Sequence, residues 1–388
     1  MKKVLAVTGI RSEYDILFPV IDLLNRSEDF DLSLAVSSAH LSDWHGFTLN
    51  RIEEDGFKIA DKLDTLLMTN RETQRVKGVG LLTYALAQTV ERVNPDFLLV
   101  VGDREESIST ALVGNYMNVL TAHIGGGDPV WGNADDPIRQ AVSKLSHIHF
   151  VTSEQYATNL KKMSEDEFRI FNTGNPALTN IKNTAQLSLK ELSEYLNFDI
   201  TDGRYIVLIK HPLSSEREQA YDQMKVTLEA LETFSLKHNY KVVASYPNTD
   251  PGSYNILQVI SAFENKGFIR FNKTLPRLQF VNLLRNATVL AGNSSLGILE
   301  APFYKLPVVN IGHRQQGRLN AGNVKFVEYN QNEIVTALEN ACFNDEYRKM
   351  LQDIISPYGN GDAPEKIRAV FRSINKGEQK WLVKSNIC

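Results

Sequence analysis

A doubly wound α/β fold in two domains is the architecture this chain predicts, and three observations carry that reading. Short, unbroken runs of β-branched residues and leucine alternate with helical patterns along the chain. The runs lack the polar alternation of a half-exposed strand, so both of their faces must be covered, as in a parallel sheet flanked by helices. At 388 residues there is room for two to three cores of ~150 residues each, and the series occurs twice with a polar break between.

In the first series, strands are expected at 4–8, 32–37, 97–102, 121–124 and 147–152, with helices at 16–24, 108–117 and 138–145. The second series places strands at 205–210, 241–246, 288–291 and 308–311, with helices at 228–237 and 278–284. Residues 172–176 close the first series, and the polar stretch 197–204 precedes the strand that opens the second. The expected domains are therefore 1–175 and 176–363, hinged near 173–180. Residues 364–388 form a tail whose part 364–383 is helical in pattern, with Pro364 suited to a first turn, and which is expected to pack back on the first domain. Open α/β sheets bind ligands outside the carboxyl ends of their strands, so two Rossmann-like domains predict one cleft between them.

Composition removes several function classes. Apolar residues are 43%, charged residues 23% and the net charge is −4, which argues against a nucleic-acid binder. A small anionic ligand needs only a few local cations and is not excluded. No apolar run approaches the ~20 residues of a membrane span. The apolar stretch 4–10 is short and broken by Thr8 and Gly9, so it reads as a buried strand rather than a signal peptide. The two cysteines, Cys342 and Cys388, have neither metal-ligand nor disulfide-framework spacing, and a reducing cytoplasm is expected. GxxxxGK[ST] and GxGxxG are both absent, so neither a P-loop nor NAD binding is expected, and no metal or cofactor is assigned.

The strand ends carry the candidate chemistry. Arg11 follows the first strand at a helix N-terminus, where it could hold a phosphate or lie solvated. Asp103, in Gly102-Asp103-Arg104, is a candidate general base or acid, or else the N-cap of the next helix. Convergence of Asp103, Glu105 and Glu106 would raise carboxylate pKa values, with Arg104 opposing. Gly125, Gly126 and Gly127 suit a backbone passing close to a ligand, and Asp135 or Asp136 suits a cap with Pro137 in the first turn. His147 and His149 read as buried, hydrogen-bonded histidines rather than metal ligands. His211 could contact a phosphate or protonate a leaving group, or be a solvated or core histidine. Ser294 and Ser295 open a helix whose N-terminus could bind an anion; Glu300, about one and a half turns in, could accept from a ribose. Arg314 and Arg318 sit in a Gly-flanked loop, beside that anion or simply in solvent.

Seven segments occur in order: Gly9-Ile-Arg-Ser-Glu-Tyr14, Gly102-Asp-Arg104, His123-Ile-x-Gly-Gly127, Asp135-Asp-x-Ile-Arg139, Lys210-His-Pro212, Gly292-Asn-Ser-Ser295 with Glu300, and Gly312-x-Arg-Gln-x-Gly-Arg318. Together they resemble the UDP-N-acetylglucosamine 2-epimerases, especially the hydrolysing branch of sialic and legionaminic acid biosynthesis, over nearly the whole chain. The resemblance implies a GT-B-like fold with a nucleotide-sugar cleft. It implies anti elimination of UDP across C1–C2 to a glycal, then hydration, releasing UDP and a free 2-epimerised sugar: N-acetylmannosamine or a 2,4-diacetamido-trideoxy analogue. It also implies a homodimer or a dimer of dimers. Carried over residue by residue, it makes Asp103 and Asp135 the catalytic carboxylates, with His211 and Asp128 beside them, and His123 and Arg104 substrate contacts. Ser294 and Ser295 fall on the diphosphate site, Glu300 on the ribose, and Arg11, Arg314 and Arg318 on the anionic cleft. The pattern departs at Gly125, where the best-known members carry a catalytic Glu; the nearest carboxylate is Asp128. A GT-B glycosyltransferase, a non-hydrolysing UDP-sugar 2-epimerase and a non-catalytic nucleotide-sugar sensor are the alternatives.

Overall fold

In the computed structural model, residues 1–67, 73–129, 135–248, 250–375 and 377–384 are described. They form two compact units. One takes Met1–Pro129 with the described residues of 135–182 and 358–384; the other is Asn183–Pro357.

Unit 1 holds a seven-stranded parallel sheet in the order β3-β2-β1-β4-β5-β6-β7. Its strands are β1 (Lys2–Thr8), β2 (Phe30–Ser37), β3 (Ile59–Leu63), β4 (Phe97–Val101), β5 (Leu120–Ile124), β6 (Ile148–Val151) and β7 (Ile170–Asn172). Unit 2 holds a six-stranded parallel sheet, β10-β9-β8-β11-β12-β13. Here the strands are β8 (Tyr205–Ile209), β9 (Lys241–Ser245), β10 (Ile269–Asn272), β11 (Val289–Gly292), β12 (Val308–Ile311) and β13 (Val324–Val327).

The double coverage is visible residue by residue. Along β1, Val4 and Ala6 join one apolar cluster while Leu5 and Val7 join another on the opposite face. Along β8, Ile206 and Leu208 face one cluster, and Tyr205, Val207 and Ile209 the other. Each strand is thus apolar on both faces because helices cover both. β3, β7, β10 and β13, which apolar runs did not reveal, are the outer strands of the two sheets. They carry exposed or half-buried polar residues such as Lys62, Asn172, Arg270 and Lys325.

The tail does not run as one helix over 364–383. The helix Ala363–Ser373 stops at an extended Ile374, and a single turn, Gln379–Leu382, follows. Lys2 Nζ donates to the carbonyls of Phe371, Arg372 and Ile374, all at 2.7 Å, satisfying the acceptors that this helix end leaves open. Phe371 packs within the sheet's own core, 4.9 Å from Phe97 and 5.4 Å from Phe150 between ring centroids. Arg169, fully buried, donates to the carbonyls of Trp381 and Val383. Unit 1 also holds 176–182 and 358–363: Asn175 N donates to the Tyr358 carbonyl at 2.7 Å and Thr179 Oγ1 to that of Gly361 at 3.0 Å. Among the described residues, no helix is long and apolar enough to cross a membrane.

Candidate functional site

In both sheets the chain runs outward in opposite directions from a central strand pair, β1/β4 in unit 1 and β8/β11 in unit 2. The carboxyl ends of such a pair leave a crevice. The sequence-derived candidates gather at these two places.

In unit 1, β4 runs into Gly102, and the following helix is Glu105–Met117 with Arg104 as its N-cap. Asp103 therefore lies outside the helix, which removes its reading as a cap. Its carboxylate pairs with Arg139 Nη2. The other guanidinium nitrogen, Nη1, donates to the Gly125 carbonyl at 2.8 Å and lies 3.7 Å from Asp128. Asp135 opens the helix Asp135–Leu145 as a first-turn residue rather than its cap, and accepts from Arg75 Nη2 at 3.1 Å. Arg75 Nε pairs with Glu105. Two arginines thus hold four carboxyl groups: Arg139 pairs with Asp103 and lies beside Asp128, and Arg75 pairs with Asp135 and Glu105.

Their environments separate the carboxyls. Burial pushes Glu105 up, but the hydrogen bond and charge of Arg75 outweigh it and leave the group below its ordinary value. Glu13, in the first turn of the helix Arg11–Asn25, is driven the other way: burial raises it well above the carboxylate range, and Glu106 raises it further, against the pull of Arg104. Glu106 is raised by burial and by Glu105.

Arg11 is the first residue of its helix, and its Nε donates to Asp15 at 3.3 Å. His123, expected at a substrate contact, is fully buried in β5. Its Nε2 donates to the Gly102 carbonyl at 2.7 Å and its Nδ1 lies 3.4 Å from Ser143 Oγ. Burial holds its pKa down, to about 3, so the ring is neutral and anchors the turn that carries Asp103. His147 and His149 are buried as well; His147 Nδ1 accepts from Thr121 N, and His149 Nε2 bonds Glu165.

The three glycines after β5 answer to the protein rather than to a ligand. Gly125 and Gly127 have positive φ, +87° and +76°. A Cβ at Gly126 would lie 2.8 Å from Ser143 Oγ, and one at Gly127 2.5 Å from the Tyr156 carbonyl oxygen. A Glu at 125 would need a strained backbone, and the space beyond its carbonyl belongs to Arg139.

In unit 2, Asn293 laces the central pair together. Its Oδ1 accepts from His211 N at 2.7 Å, and its Nδ2 donates to the His211 carbonyl at 2.8 Å. The Asn293 carbonyl accepts from Arg314 Nη1 at 3.2 Å and from Gln315 Nε2 at 3.0 Å, bringing the Gly312–Arg318 loop to the same point. His211 Nδ1 accepts from Asn248 N at 3.0 Å, so a neutral ring carries its proton on Nε2. Arg318 is buried, with Nη1 donating to Gln315 Oε1 at 2.7 Å. Ser294 Oγ accepts from Leu296 N at 3.3 Å. The helix that follows is one turn, Leu296–Leu299, not the longer helix expected. Glu300 is already non-helical (φ −121°), because Pro302 lacks the N–H that would continue the ladder to Ile298. Glu300 therefore lies at the end of that turn. Lys210, beside His211, is 2% exposed, and its Nζ stands 4.5 Å from the centroid of the Tyr329 ring with no hydrogen-bond partner. Burial pushes its pKa down to about 7 against the pull of Glu216.

Arg139, Glu13 and Lys210 stood inside sequence motifs without a role; their partners were the missing information. Arg75, in the helix Thr73–Val93, and Asn293 gave no separate signal.

Two doubly wound α/β units, each with charged side chains at a central strand pair, define a two-domain enzyme of the GT-B-like class. The chain belongs to the UDP-N-acetylglucosamine 2-epimerase family, whose profile matches residues 22–372. It is 32% identical to the UDP-N,N'-diacetylbacillosamine 2-epimerase (hydrolyzing) of Legionella pneumophila, over 96% of each chain. It is also 32% identical to the GDP/UDP-N,N'-diacetylbacillosamine 2-epimerase (hydrolyzing) of Campylobacter jejuni, over 85% of each. In fold it is similar to UDP-GlcNAc 2-epimerase from Neisseria meningitidis bound to UDP-GlcNAc, with a TM-score of 0.81 at 21% identity, covering 96% of this chain and all of that one.

Proposed function

We propose that this enzyme is a hydrolysing 2-epimerase of a UDP-linked 2,4-diacetamido-trideoxy sugar, supplying a free 2-epimerised sugar to nonulosonic acid biosynthesis. The observation that carries this reading is the arginine-paired carboxylate network of unit 1, in a chain related along 96% of its length to an enzyme named for that hydrolysis. Asp103, paired with Arg139, is the base suited to a weakly acidic C2 proton. Asp128, beside Arg139, and Asp135, paired with Arg75, support the same proton chemistry.

In unit 2, Arg314, Arg318 and the amides at Ser294 and Ser295 take the diphosphate as it departs, and Glu300 takes the ribose. The His211 Nε2 proton is placed to assist the leaving group. Arg11 and Arg104 supply positive charge to the unit 1 crevice, while His123 serves by positioning Gly102. Elimination breaks C2–H and C1–O; hydration forms C1–O from water and a new C2–H. We also place the enzyme in the cytoplasm, consistent with the unpaired, buried Cys342, as a homodimer or dimer of dimers, which sedimentation tests.

The decisive experiment is turnover in D₂O with UDP-N,N'-diacetylbacillosamine, its GDP counterpart and UDP-N-acetylglucosamine, with products read by NMR. UDP and a free sugar carrying deuterium at an inverted C2 are expected, fastest with the diacetamido substrate. A released sugar with C2 protonated and unchanged would overturn the epimerase reading.

A further inference from the structure

Hydration of a glycal requires an acid that already holds a proton. Asp103, Asp128 and Asp135 are each set against an arginine. Glu13 is different. It lies in the first turn of its helix, where side chains lean back toward the N-terminus and hence toward the end of β1. It is 8% exposed, and its Oε1 is buried without a hydrogen-bond partner. That oxygen sits 3.2 Å from where a Cβ on Gly102 would stand, immediately behind Asp103.

Glu106 meets the same crevice from the other central strand. It is 2% exposed and accepts from Ser37 Oγ at 3.3 Å. Its carboxylate lies so close to Gly9 that a Cβ there would come within 1.8 Å of Oε1. Two carboxyls from two helix starts are therefore withdrawn from water at one switch point.

On the reading that unit 1 performs the proton chemistry of a 2-epimerase, we propose that Glu13 is the resident acid of this site and holds the proton delivered to C2 when the glycal is hydrated, with Glu106 as the neighbour that keeps it protonated. In that step the Glu13 O–H and one water O–H break, together with the C1=C2 π bond. C2–H and C1–O form, and the water proton passes to an ionised carboxylate of the network. The charged groups facing Glu13 are Glu106, Arg104, Asp103 and Glu105; burial and the two glutamates outweigh Arg104. The helix N-terminus also favours an anion, but its effect is small beside the removal of both carboxyls from water.

The test compares Glu13→Gln, Glu13→Asp and Glu106→Gln with wild type, following UDP release and sugar products separately by NMR. Glu13→Gln is expected to bind UDP with wild-type affinity and release it in the first turnover. It should accumulate the unsaturated sugar, because hydration slows by roughly 10²-fold. Glu13→Asp should recover part of that loss. Wild-type hydration should fall as pH rises through the raised pKa of Glu13, and Glu106→Gln should move that fall to lower pH. Wild-type hydration by Glu13→Gln, or equal slowing of UDP release and hydration, would overturn the proposal while leaving the epimerase reading intact. If Glu13→Gln fails to fold, the Glu106→Gln profile decides: an unmoved fall overturns the proposal. Wild-type sugar without deuterium at C2 would overturn both readings.

Discussion

The two central strand pairs occupy equivalent places in their sheets and carry opposite chemistry. At β1/β4, carboxyl groups predominate: Asp103 and Asp135 against arginines, Glu13 and Glu106 buried together. At β8/β11 the buried cations are Lys210 and Arg318, the lacing is done by the amide of Asn293, and the arriving loop also brings Arg314. Topology decides where a crevice opens, since helices depart to opposite sides there. The side chains at the first residues after each strand decide what it can do. An acidic crevice with arginine partners suits proton transfer; a cationic one suits an anion.

The sharpest way to break this contrast is to remove Arg139. Arg139→Ala leaves Asp103 and Asp128 without their shared partner, and should cost on the order of 3 kcal/mol of stability as well as most turnover. Thermal melting and initial rates check this together. Asp103→Asn should spare UDP affinity but lower turnover by roughly 10²-fold or more; near-wild-type rates would remove Asp103 from the proton chemistry. In unit 2, Ser295→Asp puts an anion where phosphate is proposed and should weaken UDP by about tenfold or more, read by calorimetry. Unchanged affinity would move the diphosphate elsewhere.

The smallest effect concerns Lys210. Its folded pKa, about 7, lies below the ordinary 10.5. The unfolded chain therefore binds more protons between pH 7 and 10.5, and wild-type stability should rise with pH across that window. Lys210→Met should flatten the rise. Its advantage over wild type should be largest below pH 7, reduced by the lost contact with Tyr329. Parallel melting curves against pH check the sign.

Sequence and structure part company in a regular way. The strands legible as apolar runs are the inner ones, covered on both faces. The outer strands β3, β7, β10 and β13 are short and mix apolar with polar residues, because an edge is only partly covered. The helix after Ser295 is a single turn, shorter than the local pattern predicts, because Pro302 has no N–H to continue the ladder. The triple glycine read as a ligand cradle, yet Ser143 and Tyr156 fill the spaces its Cβ atoms would take.

By itself, the order of apolar runs and motifs determined the α/β class, the two series and the strand ends at which Asp103, Asp135, His211 and Ser294 stand. Those are properties of local pattern and chain order. Only the tertiary structure decided which charges meet. Arg75 reaches Asp135 across 60 residues, Arg139 reaches Asp103 across 36, and His123 turns inward to Gly102. The ionisation of a carboxyl depends on its burial and on the charges beside it, and both are set by contacts between segments distant in the chain.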